Sequence, residues 1–156
     1  MTSSLKGALI ALQAFHVAFL WLHDWVPLGS LNDVRAVRTA DSDMRLFVVT
    51  VTSSIPFTFG LVYSLLHADS WPHWFYWWLV ISYGFLLLGQ LRAWWLPYLA
   101  FPNPRRAERY RVMFGGTHAF LPMRNGIVPN TLHVMLHVAT VATLLVLYWS
   151  GWWRIQ

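Results

Sequence analysis

Apolar positions in this chain gather into four long stretches, and the polar positions gather between them. A helix of about 20 mostly apolar residues crosses the roughly 30 Å hydrocarbon core of a bilayer. Four stretches reach that length, at about residues 7–27, 46–66, 74–96 and 131–150. The pattern predicts an all-α fold: an integral membrane bundle of four transmembrane helices, forming one domain over residues 1–156. Lys6 before the first stretch resembles a secretory signal. That stretch is long, however, ends in His23-Asp24-Trp25 and lacks a small-residue cleavage site, so it reads as a retained span.

Composition agrees. Hydrophobic residues make up 57% of the chain and charged residues 11%, against about 25% charged in soluble domains. The absence of cysteine removes disulfides and thiolate metal sites. The net charge of +5 does not point to nucleic acid, because the arginines flank spans and do not form a soluble basic face.

The basic residues also predict orientation. Arg35, Arg38 and Arg45 lie in the first long loop. Arg105, Arg106, Arg109, Arg111 and Arg124 lie in the second, while the chain ends carry only Lys6 and Arg154. Positive loops stay cytoplasmic. Both long loops are therefore expected in the cytoplasm, with both termini and the short His67–His73 loop on the outer side. A bacterial inner membrane is the expected location. Tryptophans near the span ends, among them Trp21, Trp25, Trp94, Trp95, Trp149, Trp152 and Trp153, read as interfacial anchors. Pro56 should kink the second span and free a carbonyl for Thr52 or Ser53. The hydroxyls around it fit either close helix packing or the border of a cavity.

Titratable residues sit at the loop end of three spans. Gln13, His16, His23 and Asp24 recur on one side of the first helix. His16 lies about 16 Å in from Pro27 at 1.5 Å per residue. Arg92 lies about one turn inside the third span, and His133 and His137 stack one turn apart on the fourth. Such groups are costly in lipid and normally face the bundle interior. A structural network would pair Asp24 with Arg92. A site would use His23, Asp24, Arg92, His133 and His137 for chemistry, with Gln13, His16, His118, Arg124 and Asn130 lining or covering a pocket. The second loop should fold back over the mouth, through an Asn125-Gly126 turn, with Asn130 or Thr131 capping the last helix. Arg105–Phe114 should form a short helix with Tyr110, Met113 and Phe114 in the membrane interface and its arginines toward anionic lipid. His67, Asp69 and His73 read as a solvated outer loop, not a surface metal site.

Three functions fit. The first is acid–base chemistry on a lipid-like or apolar small molecule, of the isomerase or cyclase type. Histidine titrates near neutrality, and a desolvated His beside a carboxylate donates or accepts protons. The second is a noncatalytic accessory subunit or immunity protein, as a homo-oligomer or in a larger membrane complex. The third is a bis-His haem or divalent-metal protein. The i, i+4 pair His133/His137 is a weak metal signal because no Glu follows His133, and His23 with His137 would be the haem pair. No metal ligand set is assigned and no cofactor is required. The partners expected for the first function are membrane lipid and an apolar small molecule.

The segments LHDWVPLGSLNDVRAVR and FGGTHAFLPMRNGIVPNTLHVMLH resemble those of small four-span bacterial membrane proteins. That resemblance covers most of the chain and implies the fold without an activity. A fainter likeness in layout is to the EXPERA family, which includes sterol isomerases and the sigma-2 receptor. It implies a cavity for apolar ligands and a role for an intramembrane acid, here Asp24. No residue transfers position by position.

Overall fold

The structure is a computed structural model that describes residues 3–67 and 70–152, the side chain of Trp152 excepted. Asp69, Trp153 and Arg154 lie outside the described residues, as does the anchoring role of the Trp152 ring. The chain forms α1 (Ser3–Leu22), a 3-10 turn (Gly29–Leu31), α2 (Val34–Ala40), α3 (Asp43–Leu66) and α4 (His73–Gln90). A π-turn (Leu91–Trp95) carries α4 into α5 (Leu96–Leu99), followed by α6 (Pro104–Phe114) and α7 (Thr131–Trp152). Four helical segments are long and apolar enough to cross a membrane: Ser3–Leu22, Asp43–Leu66, His73–Leu99 and Thr131–Gly151. The described residues are thus all-helical, with the four long apolar helices that the hydrophobic pattern predicts.

The first span differs from its expected limits. It starts earlier and ends at Leu22, because the chain turns there: Trp25 and Val26 N–H both return to the Leu22 carbonyl. Pro27 has no N–H with which to prolong the helix. Asn32 holds the turn from the other side. Its amide donates to the His23 and Val26 carbonyls at 2.6 and 2.8 Å, and its Oδ1 accepts from Leu28 N–H at 2.6 Å.

α1 packs between α3 and α7, α7 packs on α4, and α4 meets α3 more sparsely. Leu9, Phe75, Leu79 and Leu147 fill the centre and are almost wholly buried, while Phe47, Ile55, Phe85 and Val138 point outward. Apolar side chains gain nothing by leaving lipid, so polar pairs and close contacts hold such helices together. Gln13 Nε2 donates to Ser64 Oγ at 3.0 Å across α1 and α3. Gly60 lets that contact form, since a Cβ there would come 3.0 Å from Leu79 and 3.3 Å from Gln13. The Trp21 and Trp25 indoles donate to Thr58 and Thr50 of α3, each at 3.0 Å. These two tryptophans thus tie helices together as well as sitting at a span end. Of the α3 hydroxyls, Thr50, Thr58 and Ser64 thus bond across to the first span and its exit turn.

α3 stays helical through Pro56. Thr52 and Ser53 donate one turn back, to the Val48 and Val49 carbonyls at 2.7 and 2.6 Å. They do not rescue the carbonyl that proline frees, because a hydroxyl on a helix reaches backward along its own chain.

Pro97 has the larger consequence. It lacks the N–H that would close an α-turn on Ala93, and its ring crowds that carbonyl. The helix widens into a π-turn, where Leu96 N–H bonds to Leu91 O. The released carbonyls are taken by α6. Arg106 Nη1 donates to Arg92 O at 2.6 Å and to Ala93 O at 3.1 Å, and the Tyr110 hydroxyl donates to Ala93 O at 3.2 Å. Tyr110 and Phe114 then pack on Trp94, with ring centroids 4.3 and 5.3 Å apart. The short helix therefore forms as expected, but its aromatic face docks on the bundle and not in the membrane interface. Arg106 and Arg109 follow it inward, while Arg105 and Arg111 stay exposed.

Pro97→Ala should restore ordinary helical hydrogen bonding and withdraw the Ala93 carbonyl from α6. We expect faster limited proteolysis within residues 104–114, with the unfolding temperature of the bundle in detergent nearly unchanged. Unaltered proteolysis would show that the freed carbonyls do not hold α6.

Candidate functional site

The loop end of the bundle encloses a cavity of about 270 Å³. α1 contributes its exit turn, with His23 and Asp24. α7 contributes His133, and the π-turn contributes Trp94. α6 closes the space with Arg109, Tyr110, Met113 and Phe114, and Asp41 at the end of α2 completes it with Arg45, Leu46 and Val49 of α3.

His23 is oriented by its own helix. Its Nδ1 lies 2.9 Å from the Phe19 carbonyl, which only accepts, so the proton sits on Nδ1. That leaves Nε2 3.2 Å from Asp24 Oδ1. That contact is an ion pair when the His23 ring is protonated. Both residues follow the last residue of the spanning helix. Burial raises the Asp24 carboxyl above its usual range, and burial lowers the His23 imidazole below its own. The two shifts bring the partners' proton affinities closer together.

His133 is set by the cap of α7. Asn130 Oδ1 accepts the His133 backbone N–H at 3.1 Å, which closes the first turn and identifies that atom as the oxygen. The same oxygen lies 2.6 Å from His133 Nδ1, which must therefore carry hydrogen. Nε2 is left with its lone pair. The His133 ring stands edge-on to His23 at 5.8 Å between centroids and packs on Trp94 at 4.6 Å.

His137 takes the opposite tautomer. Its Nδ1 accepts the Trp95 indole N–H at 3.1 Å, so when neutral it carries its proton on Nε2. It lies one turn deeper, with its ring 6.4 Å from that of His133. His16 is buried at mid-span with Nδ1 2.7 Å from Leu12 O. Its Nε2 is 3.0 Å from Thr140 Oγ1, which also accepts from Gln90 Nε2 at 2.9 Å. Gln13 is committed to Ser64.

The cavity thus brings together His23, Asp24 and His133 of the residues singled out from sequence, with Asn130 behind His133. His16, Gln13 and His137 sit deeper. Arg92 does not join. Its side chain is exposed at the π-turn, only its carbonyl is engaged, and Asp24 pairs with His23 instead. Arg124 is exposed on the Asn125-Gly126 turn, where both residues adopt positive φ, and pairs with Ile127 through its backbone. His118 is exposed and works as a loop clasp. Its N–H reaches Ser30 O at 2.6 Å, its carbonyl accepts from Thr131 N–H at 2.9 Å, and its ring meets Thr131 Oγ1 at 2.7 Å.

Sequence reasoning missed Asp41, Arg45, Arg109, Trp94 and Tyr110. Asp41 Oδ1 is 2.6 Å from Arg45, and Asp41 Oδ2 accepts from Arg109. Its side chain is 7% exposed, so this pairing outweighs the solvent-screened Arg38–Asp43 and Glu108–Arg111 pairs.

Among the described residues no three His, Asp or Glu side chains are arranged to hold a metal ion. The nitrogen that His137 would offer to haem iron carries its proton. Phe19, stacked on His23 at 4.3 Å, and Trp94, 6.2 Å from His137, fill the space around the two rings. No protein-family model, curated protein or solved structure matches the chain.

Asn130→Ala removes the α7 cap and the partner of His133 together. We expect a loss of roughly 1–2 kcal/mol in unfolding free energy, measured by denaturant titration in detergent. Asn130→Ser, a competent cap, should recover most of it. Equal stability of all three proteins would refute the cap.

Proposed function

We propose that this four-span membrane protein binds a lipid-like or apolar small molecule at the loop-end cavity and moves protons on it. The observation that carries the reading is the hydrogen-bond setting of two neighbouring groups, His23 beside Asp24 and His133 against Asn130. The His23–Asp24 pair offers a proton, and His133 Nε2, held as a lone pair by Asn130, accepts one. A double-bond shift needs this arrangement. One group protonates a carbon, the other removes a proton from a second carbon, and no proton is gained or lost overall. Acid and base exchange roles and are reset by transfer between them or through water. Positioned proton transfer of this kind contributes about 10²–10⁴-fold to rate. The aromatic wall of Trp94, Tyr110 and Phe114 favours an apolar reacting centre. In the proposed orientation the eight loop arginines face the cytoplasm, so the cavity opens to the inner leaflet of a bacterial inner membrane.

The test is native mass spectrometry of the gently purified protein, followed by extraction of the bound molecule after incubation in D₂O. Wild type should carry a lipid-like mass and place deuterium on carbon. Asp24→Asn should keep the ligand and lose labelling by at least about 100-fold, the lower end of the acid–base effect. A ligand-free chain holding a stoichiometric protein partner would overturn the proposal in favour of an accessory subunit. A Soret band would overturn it in favour of haem.

A further inference from the structure

Asp41 closes α2 as its C-cap, and its carboxylate is shared by two guanidinium groups, those of Arg45 and Arg109. Two cations thus meet one carboxylate at the cavity mouth.

Donors remain. A guanidinium presents five N–H groups in a planar fork suited to carboxylate and phosphate oxygens. Arg45 and Arg109 each give Asp41 a close contact, yet their side chains are 60% and 39% exposed. Spare N–H groups border the same space. Asp41 acts as the post that keeps two long, flexible side chains at the mouth, which lowers the entropy lost when they grip a second anion.

Next to these arginines the cavity wall is apolar. Leu46 and Val49 line it from α3, and Val49 is 52% exposed on the outer surface of that spanning helix, next to exposed Phe47 and Val48. The cavity runs from a cationic mouth to a lipid-facing helix surface. Its volume of about 270 Å³ falls below the roughly 300–1,000 Å³ of pockets that enclose a whole drug-sized ligand. It takes one end of an elongated molecule.

We infer that the ligand is an anionic amphiphile, whose carboxylate or phosphate headgroup is gripped by Arg45 and Arg109 and whose apolar tail leaves over Leu46 and Val49 into the lipid. This rests on the function proposed above and narrows its substrate class. The reacting carbons then lie close to the headgroup, because His23, Asp24 and His133 line the same enclosed end.

The experiment is equilibrium binding to the full chain in neutral detergent at pH 8, with four probes: oleate, a lysophosphatidate, oleyl alcohol and inorganic phosphate. Oleate or the lysophosphatidate should bind at least tenfold tighter than oleyl alcohol, and the tighter of the two identifies the headgroup. Phosphate alone should bind at least tenfold more weakly than either. Arg45→Gln should bring the oleate-to-alcohol ratio toward one. Asp41→Asn, which adds a net positive charge, should raise that ratio. A merely structural role for the trio would make both variants lower it together. The inference is overturned if the alcohol binds wild type as tightly as oleate, if phosphate matches the lysolipid, or if the two variants shift the ratio the same way. The outcome is separable from the function test. Loss of anion selectivity with deuterium labelling intact sinks only this inference. Selectivity without labelling sinks only the proton transfer.

Discussion

A proline at position 97 cannot donate a hydrogen bond, and the loop end of the bundle is arranged around that missing donor. In lipid an unsatisfied backbone carbonyl costs several kcal/mol, so the carbonyls that Pro97 releases must find partners from outside the helix. Arg106 and Tyr110 supply them. Burial raises the Tyr110 phenol above its ordinary range, which keeps it protonated and able to donate. Docking by these two residues fixes α6, and α6 delivers Arg109 to Asp41 and Phe114 to Trp94. The cavity therefore exists because one helix is interrupted at the right turn. A regular α4 would offer no acceptors, and α6 would have only its aromatic face to hold it.

The same rule governs the interior. Polar groups within the bundle bond across helices: Gln13 to Ser64, Gln90 to Thr140, Trp25 to Thr50 and Trp95 to His137. Each bond contributes modestly in a membrane, on the order of 0.6 kcal/mol. Each also restricts which faces can meet, so together they fix helix register where apolar packing in lipid has little preference. At the loop end this fixing extends to protons. His133 and His137 are equivalent by spacing and face, yet Asn130 places a hydrogen on Nδ1 of one and Trp95 leaves Nδ1 of the other as an acceptor.

The four spans were legible in the sequence because hydropathy over about 20 residues reports directly on lipid, and the limits of the last three lie within a few residues of the helices observed. The end of the first was not, because His23-Asp24-Trp25-Val26 looks continuous with the span while Pro27 and Asn32 terminate it earlier. The gathering of His23, Asp24 and His133 at the loop end was legible too, as was the capping role of Asn130. The pairing of Asp24 with Arg92 was not the one formed. The widened turn leaves Arg92 exposed, a change of register that a period of 3.6 residues does not anticipate. Asp41 and Arg109 stand 68 residues apart, and no local pattern marks them as partners. The available signal was weak: one of three acids among the arginines of the first long loop, and a proline near a span end. Trp94 read as an anchor because aromatic belts account for most tryptophans at such depths, whereas its 4% exposure makes it a wall of the cavity.

The tautomers also bear on which chemistry suits the site. A metal or haem iron takes the nitrogen that lacks a proton, while the other nitrogen donates to an acceptor. His23 and His133 have that arrangement, since both protonate Nδ1 against an oxygen. His137 reverses it, because its Nδ1 accepts from an indole that has no lone pair to offer in return. Turning His137 into a ligand would strand the Trp95 N–H or require the ring to flip. The i, i+4 spacing that makes His133/His137 look like a metal motif is thus divided by its neighbours. His133 belongs with His23 and Asp24 in the cavity, and His137 belongs with Trp95 in the packing beneath it. What remains on the cavity wall is the His23–Asp24 contact with the His133 ring edge-on to His23. Proton transfer needs no third ligand, whereas a metal site here would.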